Sequence, residues 1–180
     1  MPKIPAYLSD SRGFVNGSHT TAKFNQPSGV AIDSQGNVFV ADPGNHKIRK
    51  IDPSGEVSTF AGSVRGESDG TGTSASFNKP YDIAIDGSDY LYVADRGSNK
   101  IRKITPDGVV TTIAKDAAFD TPSEIEVDKL GNVYVSGESP GMKISPSGEV
   151  TTFTDKKPEG IAVDPDGNIY MSMYENKIYR

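Results

Sequence analysis

The stretch 27-PSGVAIDSQGNVFVAD-42 decides the fold, because the chain repeats it three more times. The further copies are 80-PYDIAIDGSDYLYVAD-95, 122-PSEIEVDKLGNVYVSG-137 and 158-PEGIAVDPDGNIYMSM-173. The aspartate that closes the first apolar run recurs at intervals of 53, 42 and 36 residues, as Asp33, Asp86, Asp128 and Asp164. A core of constant length, joined by connections of variable length, indicates a repeat architecture.

Each copy predicts four short strands. In the first copy GVAID and NVFVAD flank the turn DSQGN, KIRKI forms a third strand, and EVSTFAG forms a fourth after the turn DPSG. Proline at the second position and glycine at the fourth suit a type I turn. Four antiparallel strands in each unit are typical of a β-propeller blade. The sequence therefore predicts one all-β domain with four four-stranded blades, at approximately residues 24–62, 77–115, 119–154 and 158–180 plus 3–9.

The last blade depends on the amino terminus for its fourth strand. The final copy stops at NKIYR, in its third strand. The segment 12-RGFVNGSHTTAKFNQP-27 aligns without gaps on 65-RGESDGTGTSASFNKP-80, and extending that register backward sets Ile4 against Val57. Residues 3–9 are therefore predicted to pair near Ile178 and hide two exposed strand edges. A ring shared between two chains and a fragment of a longer propeller remain alternatives.

Composition narrows the classes of partner. The 180 residues carry a formal net charge of -5 and contain no cysteine, which excludes disulfides and thiolate metal sites. An acidic chain is a poor ligand for nucleic acid, because phosphate binding requires a positive field. No apolar run has the length of a signal peptide core or a membrane span, so no membrane partner is expected. A cytoplasmic protein and an exported one without its leader both fit, and so do a monomer and a homodimer.

The units resemble the bacterial type of NHL repeat. The matching pattern is P-x-G-V/I-A-V/I-D-x-x-G-N-V/I-F/Y-V-A-D-x-G-N, followed by KIRKI-x-P-x-G-x-V-T-T, and it covers essentially the whole chain. The resemblance implies a propeller, usually of six blades, whereas this chain holds four units. It also implies that some relatives are hydrolases or lyases with histidines and a metal near the axis. Neither His19 nor His46 lies on a first strand, so we assign no catalytic residue.

One end of the blades is the predicted binding surface. The loops after the second and fourth strands share this end, and two of them are long. Variable loops on a rigid scaffold usually carry recognition. We therefore expect a noncatalytic module that presents this long-loop face to a protein, peptide or glycan. The candidate contacts, chosen by loop position and chemistry, are His46, Arg65, Asp69, Arg96, Asn99 and Tyr174.

Three carboxylates mark the predicted axis. Glu124 and Glu126 alternate with apolar residues on a first strand, and Asp82 lies on the first strand before it. Oxygen ligands gathered in this way suit Ca²⁺, which would support a metal-assisted hydrolase or lyase as an alternative function. The competing interpretation is that these groups bond local backbone or channel water, with Glu126 paired to a lysine or arginine. A structural propeller completed by oligomerisation is the third function.

Several recurrent residues have structural interpretations. The basic runs HKIRKI and NKIRKI could form an RNA stripe, but we expect solvated or blade-bridging side chains there. The aspartates of the first turns are predicted to build those turns. Asp42 and Asp95 are predicted to cap backbone amides in the loops that follow them. Phe24, Phe77 and Phe119, each three residues before the blade proline, are predicted to be packing anchors, and the fourth copy has Asp155 there.

Overall fold

The computed structural model describes residues 12–115, 119–174 and 176–180. These residues form four antiparallel sheets that follow one another along the chain. The strands of sheet 1 are β1 (Gly17–Ser18), β2 (Val30–Ile32), β3 (Val38–Asp42), β4 (Lys47–Ile51) and β5 (Glu56–Ala61). Those of sheet 2 are β6 (Gly70–Thr71), β7 (Pro80–Ile85), β8 (Leu91–Asp95), β9 (Lys100–Ile104) and β10 (Val109–Lys115). Sheet 3 contains β11 (Glu124–Val127), β12 (Val133–Ser136), β13 (Gly141–Ile144) and β14 (Val150–Thr154), and sheet 4 contains β15 (Gly160–Val163), β16 (Ile169–Met173) and β17 (Lys177–Tyr179).

Three short 3-10 turns, Pro43–Asn45, Gly72–Ser74 and Arg96–Ser98, complete the regular elements of the described ranges. Across residues 12–115, 119–174 and 176–180, no helix has the length and apolar character needed to cross a membrane.

The repeated aspartates build the first turns, as predicted. Asp33 Oδ1 accepts hydrogen bonds from the Gln35 and Asn37 amides at 3.0 and 2.7 Å, and its Oδ2 accepts from Asn37 Nδ2. The corresponding aspartates accept equivalent amide bonds in the other three sheets. Each carboxylate therefore fixes the reversal between the two innermost strands of its sheet.

The sheets pack face to face through their inner strands. Strands β2 and β3 pack on β7, β7 and β8 pack on β11, and β11 and β12 pack on β15. Phe39, Ile48 and Phe77 belong to the core between sheets 1 and 2, and Phe119 belongs to the core between sheets 2 and 3. Phe77 and Phe119 are fully buried, which confirms them as packing anchors. Successive sheets stacked on their inner strands form the arrangement of propeller blades.

Sheets 1 and 2 have five strands, so the prediction of four-stranded blades is wrong for them. The additional strands β1 and β6 come from the linkers that precede these blades, and they pair antiparallel with β5 and β10 at the outer edge. The gapless alignment of the two linkers thus reflects a shared structure. Sheet 3 has the predicted four strands, and sheet 4 has three within the described ranges.

A buried arginine fastens each long linker to its blade. Arg49 NH1 and NH2 donate to Lys23 O, Asp42 Oδ2, Val15 O and Asn16 Oδ1. Arg102 repeats the arrangement with Ser76 O, Asp95 Oδ2, Ser68 O and Asp69 Oδ1. Both arginines are fully buried, so the expectation of solvated or blade-bridging side chains is wrong for them. Three of the four partners of each arginine lie in the linker of its own blade, and the fourth is the aspartate that ends the second blade strand.

Asp42 and Asp95 cap backbone amides in a different segment from the one predicted. Asp42 Oδ1 accepts from the Asn25 amide at 2.7 Å, and Asp95 Oδ1 accepts from the Asn78 amide at 2.8 Å. These amides lie before the first blade strand, whereas the prediction placed them in the loop that follows each aspartate. The second oxygen of each aspartate faces the buried arginine.

The two terminal sheets present apolar side chains to solvent. Val30 and Ile32 of sheet 1 are 61% and 57% exposed, and Ile178 of sheet 4 is 71% exposed. Among the described strands, sheets 1 and 4 do not share the extensive packing that joins neighbouring sheets. Residues 3–9, predicted to fasten sheet 4, lie outside the described residues.

Candidate functional site

A cavity opens where three blades meet, at the end that carries the loops after the second and fourth strands. Its volume is about 790 Å³. We number the blades after their sheets. The walls of the cavity come from the segments at the start of the first blade strands of blades 1, 2 and 3 and from the 3-10 turns of blades 1 and 2. The lining residues are Gln26, Pro27, Ser28, Pro43, Gly44, Lys79, Tyr81, Arg96, Gly97, Asn99, Asp120 and Thr121. This is the end of the molecule on which the sequence placed the binding surface.

The residues before the prolines of blades 1, 2 and 3 have a left-handed backbone at this cavity. Gln26, Lys79 and Thr121 have φ of 59°, 58° and 51°. This conformation is uncommon for residues other than glycine and costs about 1–3 kcal/mol at each position. The preceding blade holds the backbones of Lys79 and Thr121 through their amides, and the three equivalent residues line one space.

Successive blades are joined by a recurring hydrogen bond beside the cavity. His46 Nδ1 accepts from the Lys79 amide at 3.1 Å, and Asn99 Oδ1 accepts from the Thr121 amide at 3.0 Å. His46 and Asn99 are themselves left-handed, each following a 3-10 turn. Burial, followed by the charges of nearby cations that include Arg65, lowers the pKa of His46 and favours the neutral acceptor.

Two cations face the cavity without a carboxylate partner. The Arg96 guanidinium lies 4.8 Å from the centre of the Tyr81 ring, which is a cation–π contact. Within the described part of the chain, neither Lys79 nor Arg96 has a carboxylate oxygen within 4.0 Å. Asp120 is the acidic residue of the lining. The cavity therefore combines an aromatic surface with donors that are available to a ligand.

The predicted contacts lie in four different places. Arg96 and Asn99 line the cavity, while His46 and Arg65 lie beside it, where Arg65 Nε donates to Asn78 Oδ1 at 3.0 Å. Tyr174 is 86% exposed and lines a smaller cavity of about 230 Å³ with Lys156, Lys157 and Met173.

Asp69 is at the outer edge, where it accepts from Arg102 and Thr112. It does not line the cavity.

Only the carboxyl-terminal ends of the long linkers line this cavity, through Gln26, Pro27 and Lys79. Their residues form the outer strands β1 and β6 and the bonds to Arg49 and Arg102. The lining comes from short segments beside the blade prolines and from the 3-10 turns. Sequence reasoning missed Lys79 and Tyr81, although their positions on either side of the repeated proline were a usable signal.

The three predicted axial carboxylates lie at the junction of blades 2 and 3. Asp82 Oδ2 accepts from the Ile125 amide at 3.0 Å, which agrees with the backbone-bonding interpretation and joins the two blades. Burial, then Asp82 and then Glu126, raises the pKa of Glu124 to about 7. Burial also raises the pKa values of Asp82 and Glu126. In the ranges that the structure describes, Glu126 has no lysine or arginine nitrogen within 4.0 Å.

These carboxylates do not form a recognisable metal centre. Among the described residues, no group of three or more His, Cys, Asp or Glu side chains has an arrangement that could hold a metal ion. The predicted Ca²⁺ ligands Asp82, Glu124 and Glu126 therefore receive no geometric support. Protonation of Glu124 is another way to lower the charge at this junction.

The fold and the cavity define a propeller-type all-β protein, and solved structures share this architecture. A streptogramin B lyase structure matches with a TM-score of 0.64 and 15% identity over 86% of this chain and 54% of that chain. A nidogen/laminin complex matches with a TM-score of 0.68 and 17% identity over 82% of this chain and 56% of that one. At these identities the similarity shows the fold alone.

Sequence comparison supplies the family. A family profile described as NHL repeat matches residues 24–51, and one described as strictosidine synthase-like, N-terminal, matches residues 150–180. Protein SUPPRESSOR OF QUENCHING 1, chloroplastic, from Arabidopsis thaliana is 30% identical over 88% of this chain and 14% of its own length. Human NHL repeat-containing protein 2 is 28% identical over 74% of this chain and 20% of its own length. The chain belongs to the NHL-repeat family, as its motifs predicted.

The chain spans between one seventh and one fifth of the length of these two relatives. A third relative, from Caenorhabditis elegans, carries the name "Probable peptidyl-alpha-hydroxyglycine alpha-amidating lyase". It is 32% identical over 58% of this chain and 30% of its own length.

Proposed function

We propose that this chain is a noncatalytic recognition module that binds a segment of a protein or peptide in the cavity between blades 1, 2 and 3. The observation that carries the proposal is the pairing of Arg96 with the Tyr81 ring inside a space of about 790 Å³. Aromatic and arginine side chains are enriched at protein recognition sites, because they offer large contact areas with directional donors.

The cavity walls are held rigidly, which favours recognition. Inter-blade hydrogen bonds to the amides of Lys79 and Thr121 fix two wall segments. A third junction bond runs from the Gly29 amide to Tyr81 O at 2.9 Å. A preformed site loses less conformational entropy when a partner binds, so more of the contact energy appears as affinity.

Catalysis is the weaker alternative for this cavity. The C. elegans relative carries the name of a lyase, and a solved structure with the same fold is a lyase. In this chain, however, the hydroxyl of Ser28 donates to Tyr81 O, and the Thr121 hydroxyl donates to Asp120 Oδ1. His46 Nδ1 is occupied by a backbone amide. These contacts pair neither the Ser28 hydroxyl nor the Thr121 hydroxyl with His46, so recognition explains the geometry of the cavity better.

A peptide selection tests the proposed function. Peptides would be selected by phage display on the intact chain and then measured against Tyr81→Ala and Arg96→Ala. We expect the selected peptides to lose at least about tenfold in affinity for both variants, because the two side chains form the central contact. Lys129→Ala, in an exposed turn between β11 and β12, is the matched control and should bind normally. Peptides that bind all three variants equally would contradict the proposal.

A specific observation supports a second candidate, a propeller completed by a second copy of the chain. Val30 and Ile32 on one terminal blade and Ile178 on the other are exposed. The chain covers 54% and 56% of the two solved chains, so two copies hold about as many blades as one such chain. Sedimentation should then show twice the 19.2 kDa monomer mass, and Ile32→Asp should give the monomer. A monomeric wild-type chain at 100 µM would contradict this candidate.

A further inference from the structure

We propose that the ligand of the three-blade cavity is a peptide carboxylate, held between Lys79 and Arg96 with its neighbouring apolar group over Tyr81. The inference rests on the proposed function and adds the chemical class of the bound group. Its first support is that two cations of the lining lack an ion-pair partner among the described residues. Arginine and lysine placed together in a preformed cavity are typical of carboxylate recognition.

The sign of the local field agrees with an anionic ligand. The lining contains Lys79, Arg96 and Asp120, a formal charge of about +1 on a chain whose net charge is -5. Beside it, burial and then the charges of Arg65, Lys47 and Lys79 lower the pKa of His46. The cavity is therefore a positive area on an acidic protein, and such an area attracts anions by a salt-dependent mechanism.

The limited positive charge favours a single carboxylate over a polyanion. Asp120 lines the same cavity and would repel the second charge of a phosphate group or a run of nucleic-acid phosphates. A peptide carboxylate carries one negative charge. The adjacent Tyr81 ring, with Arg96 stacked on it, gives the attached apolar portion a surface to contact.

The carboxylate can come from an acidic side chain or from a chain terminus, and three capped dipeptides separate these sources. Ac-Leu-Glu-NH₂ carries a side-chain carboxylate, Ac-Leu-Gln-OH carries a terminal one, and Ac-Leu-Gln-NH₂ is neutral. Each would be titrated into the ¹⁵N-labelled intact chain while the amide resonances of Gly44, Gly97 and Thr121 are followed. We expect one or both acidic dipeptides to shift these resonances with a Kd of about 1 mM and the neutral one to have no effect.

Charge-removing variants complete the test. Lys79→Gln and Arg96→Gln should each weaken the acidic dipeptide by about threefold to tenfold, because each removes one charged donor at a partly exposed site. Lys129→Gln is the control and should not change the Kd. The same spectra show whether each variant is folded.

The possible outcomes separate this inference from the proposed function. Equal binding of the neutral and acidic dipeptides at the cavity would overturn the carboxylate inference and leave the recognition site intact. Resonance shifts confined to residues elsewhere, or none with any dipeptide up to about 20 mM, would contradict both. Binding of the acidic dipeptide unchanged in Lys79→Gln and Arg96→Gln would also overturn the inference.

Discussion

Blades 1 and 2 differ from blades 3 and 4 in the structure of their outer edges. The first pair carries five strands each, a long linker and a buried arginine–aspartate pair. In blade 3, Met142 and Gly137 occupy the arginine and aspartate positions, and in blade 4 these positions hold Tyr179 and Met173. The linkers before blades 3 and 4 are short. The arginine, the aspartate and the long linker therefore occur together or are absent together.

This difference shows that the long linkers are structural parts of their blades. Each arginine directs four donor contacts at linker or aspartate oxygens, and its Nε is the one buried nitrogen without a partner in the described contacts. The guanidinium of Arg102 also stacks 5.1 Å from the centre of the Phe77 ring. A buried charge is tolerated only when its partners satisfy it, and here the linker supplies three of the four partners of each arginine.

Replacing Arg102 by Met, the residue of blade 3, should have the largest effect on stability. The change leaves Asp95 buried without its cation and releases Ser68 O and Asp69 from their donors. We expect the free energy of unfolding to fall by about 3–5 kcal/mol, measured by urea denaturation followed by circular dichroism. Lys103→Met, on the same strand, should cost no more than about 1 kcal/mol. A loss below about 1 kcal/mol for Arg102→Met would show that the arginine does not hold the linker.

The junction between the two pairs of blades should respond to pH through Glu124. Its folded pKa of about 7 lies above the ordinary value of 4.5, so the folded state keeps this proton to higher pH than the unfolded state. The contribution of Glu124 to the free energy of unfolding should therefore fall as pH rises from about 4.5 to about 7 and change no further above that.

Glu124→Gln removes this loss because the amide stays neutral. Since the carboxyl is partly exposed, we expect the variant to gain about 1 kcal/mol over wild type at pH 8 and nothing at pH 4. Glu149→Gln, at an exposed position, is the control. Parallel stability curves for wild type and Glu124→Gln across this pH range would contradict the assignment.

The smallest expected effect concerns the hydrogen bond between blades 1 and 2. His46 has a pKa below 6.5, so the unfolded state takes up this proton first, and stability is lost as pH falls below about 6.5. Asn, the residue of blade 2 at this position, accepts the same bond at any pH and tolerates the left-handed backbone. His46→Asn should therefore raise stability by a few tenths of a kcal/mol at pH 5.5 and have no effect at pH 8. A stability loss at pH 5.5 would show that the bond requires the imidazole.

The inner part of each blade could be predicted because its determinants are close in sequence. The carboxylate of Asp33 and the amide of Asn37 are four residues apart, and the same spacing recurs in every copy. The burial of Arg49 could not be predicted from alternation, since its linker partners Lys23 and Val15 lie 26 and 34 residues away. The repeated seven-residue spacing of Asp42 to Arg49 and Asp95 to Arg102 was the available signal.

The cavity lies at the end of the blades that loop position favoured, but only part of its lining was named from the sequence. Loop position identified Arg96, which lines the cavity. It also identified Asp69, which instead accepts hydrogen bonds from Arg102 and Thr112 at the outer edge of its blade. Gln26 and Lys79 have left-handed backbones, and the Lys79 amide is held by His46 of the preceding blade. Local preference does not predict them, because a residue before proline ordinarily adopts an extended conformation. Tyr81 was therefore missed, although it follows the repeated proline.

Native-state hydrogen exchange tests most directly the claim that the long linkers are structural parts of blades 1 and 2. The Gly66 amide donates to Phe77 O at 2.9 Å and the Ser76 amide donates to Ser68 O at 3.0 Å, both within one linker. We expect these amides to exchange as slowly as those of strand β9, and to lose that protection in Arg102→Met. Exchange of both amides at the rate of an unstructured peptide in the wild-type chain would contradict the account.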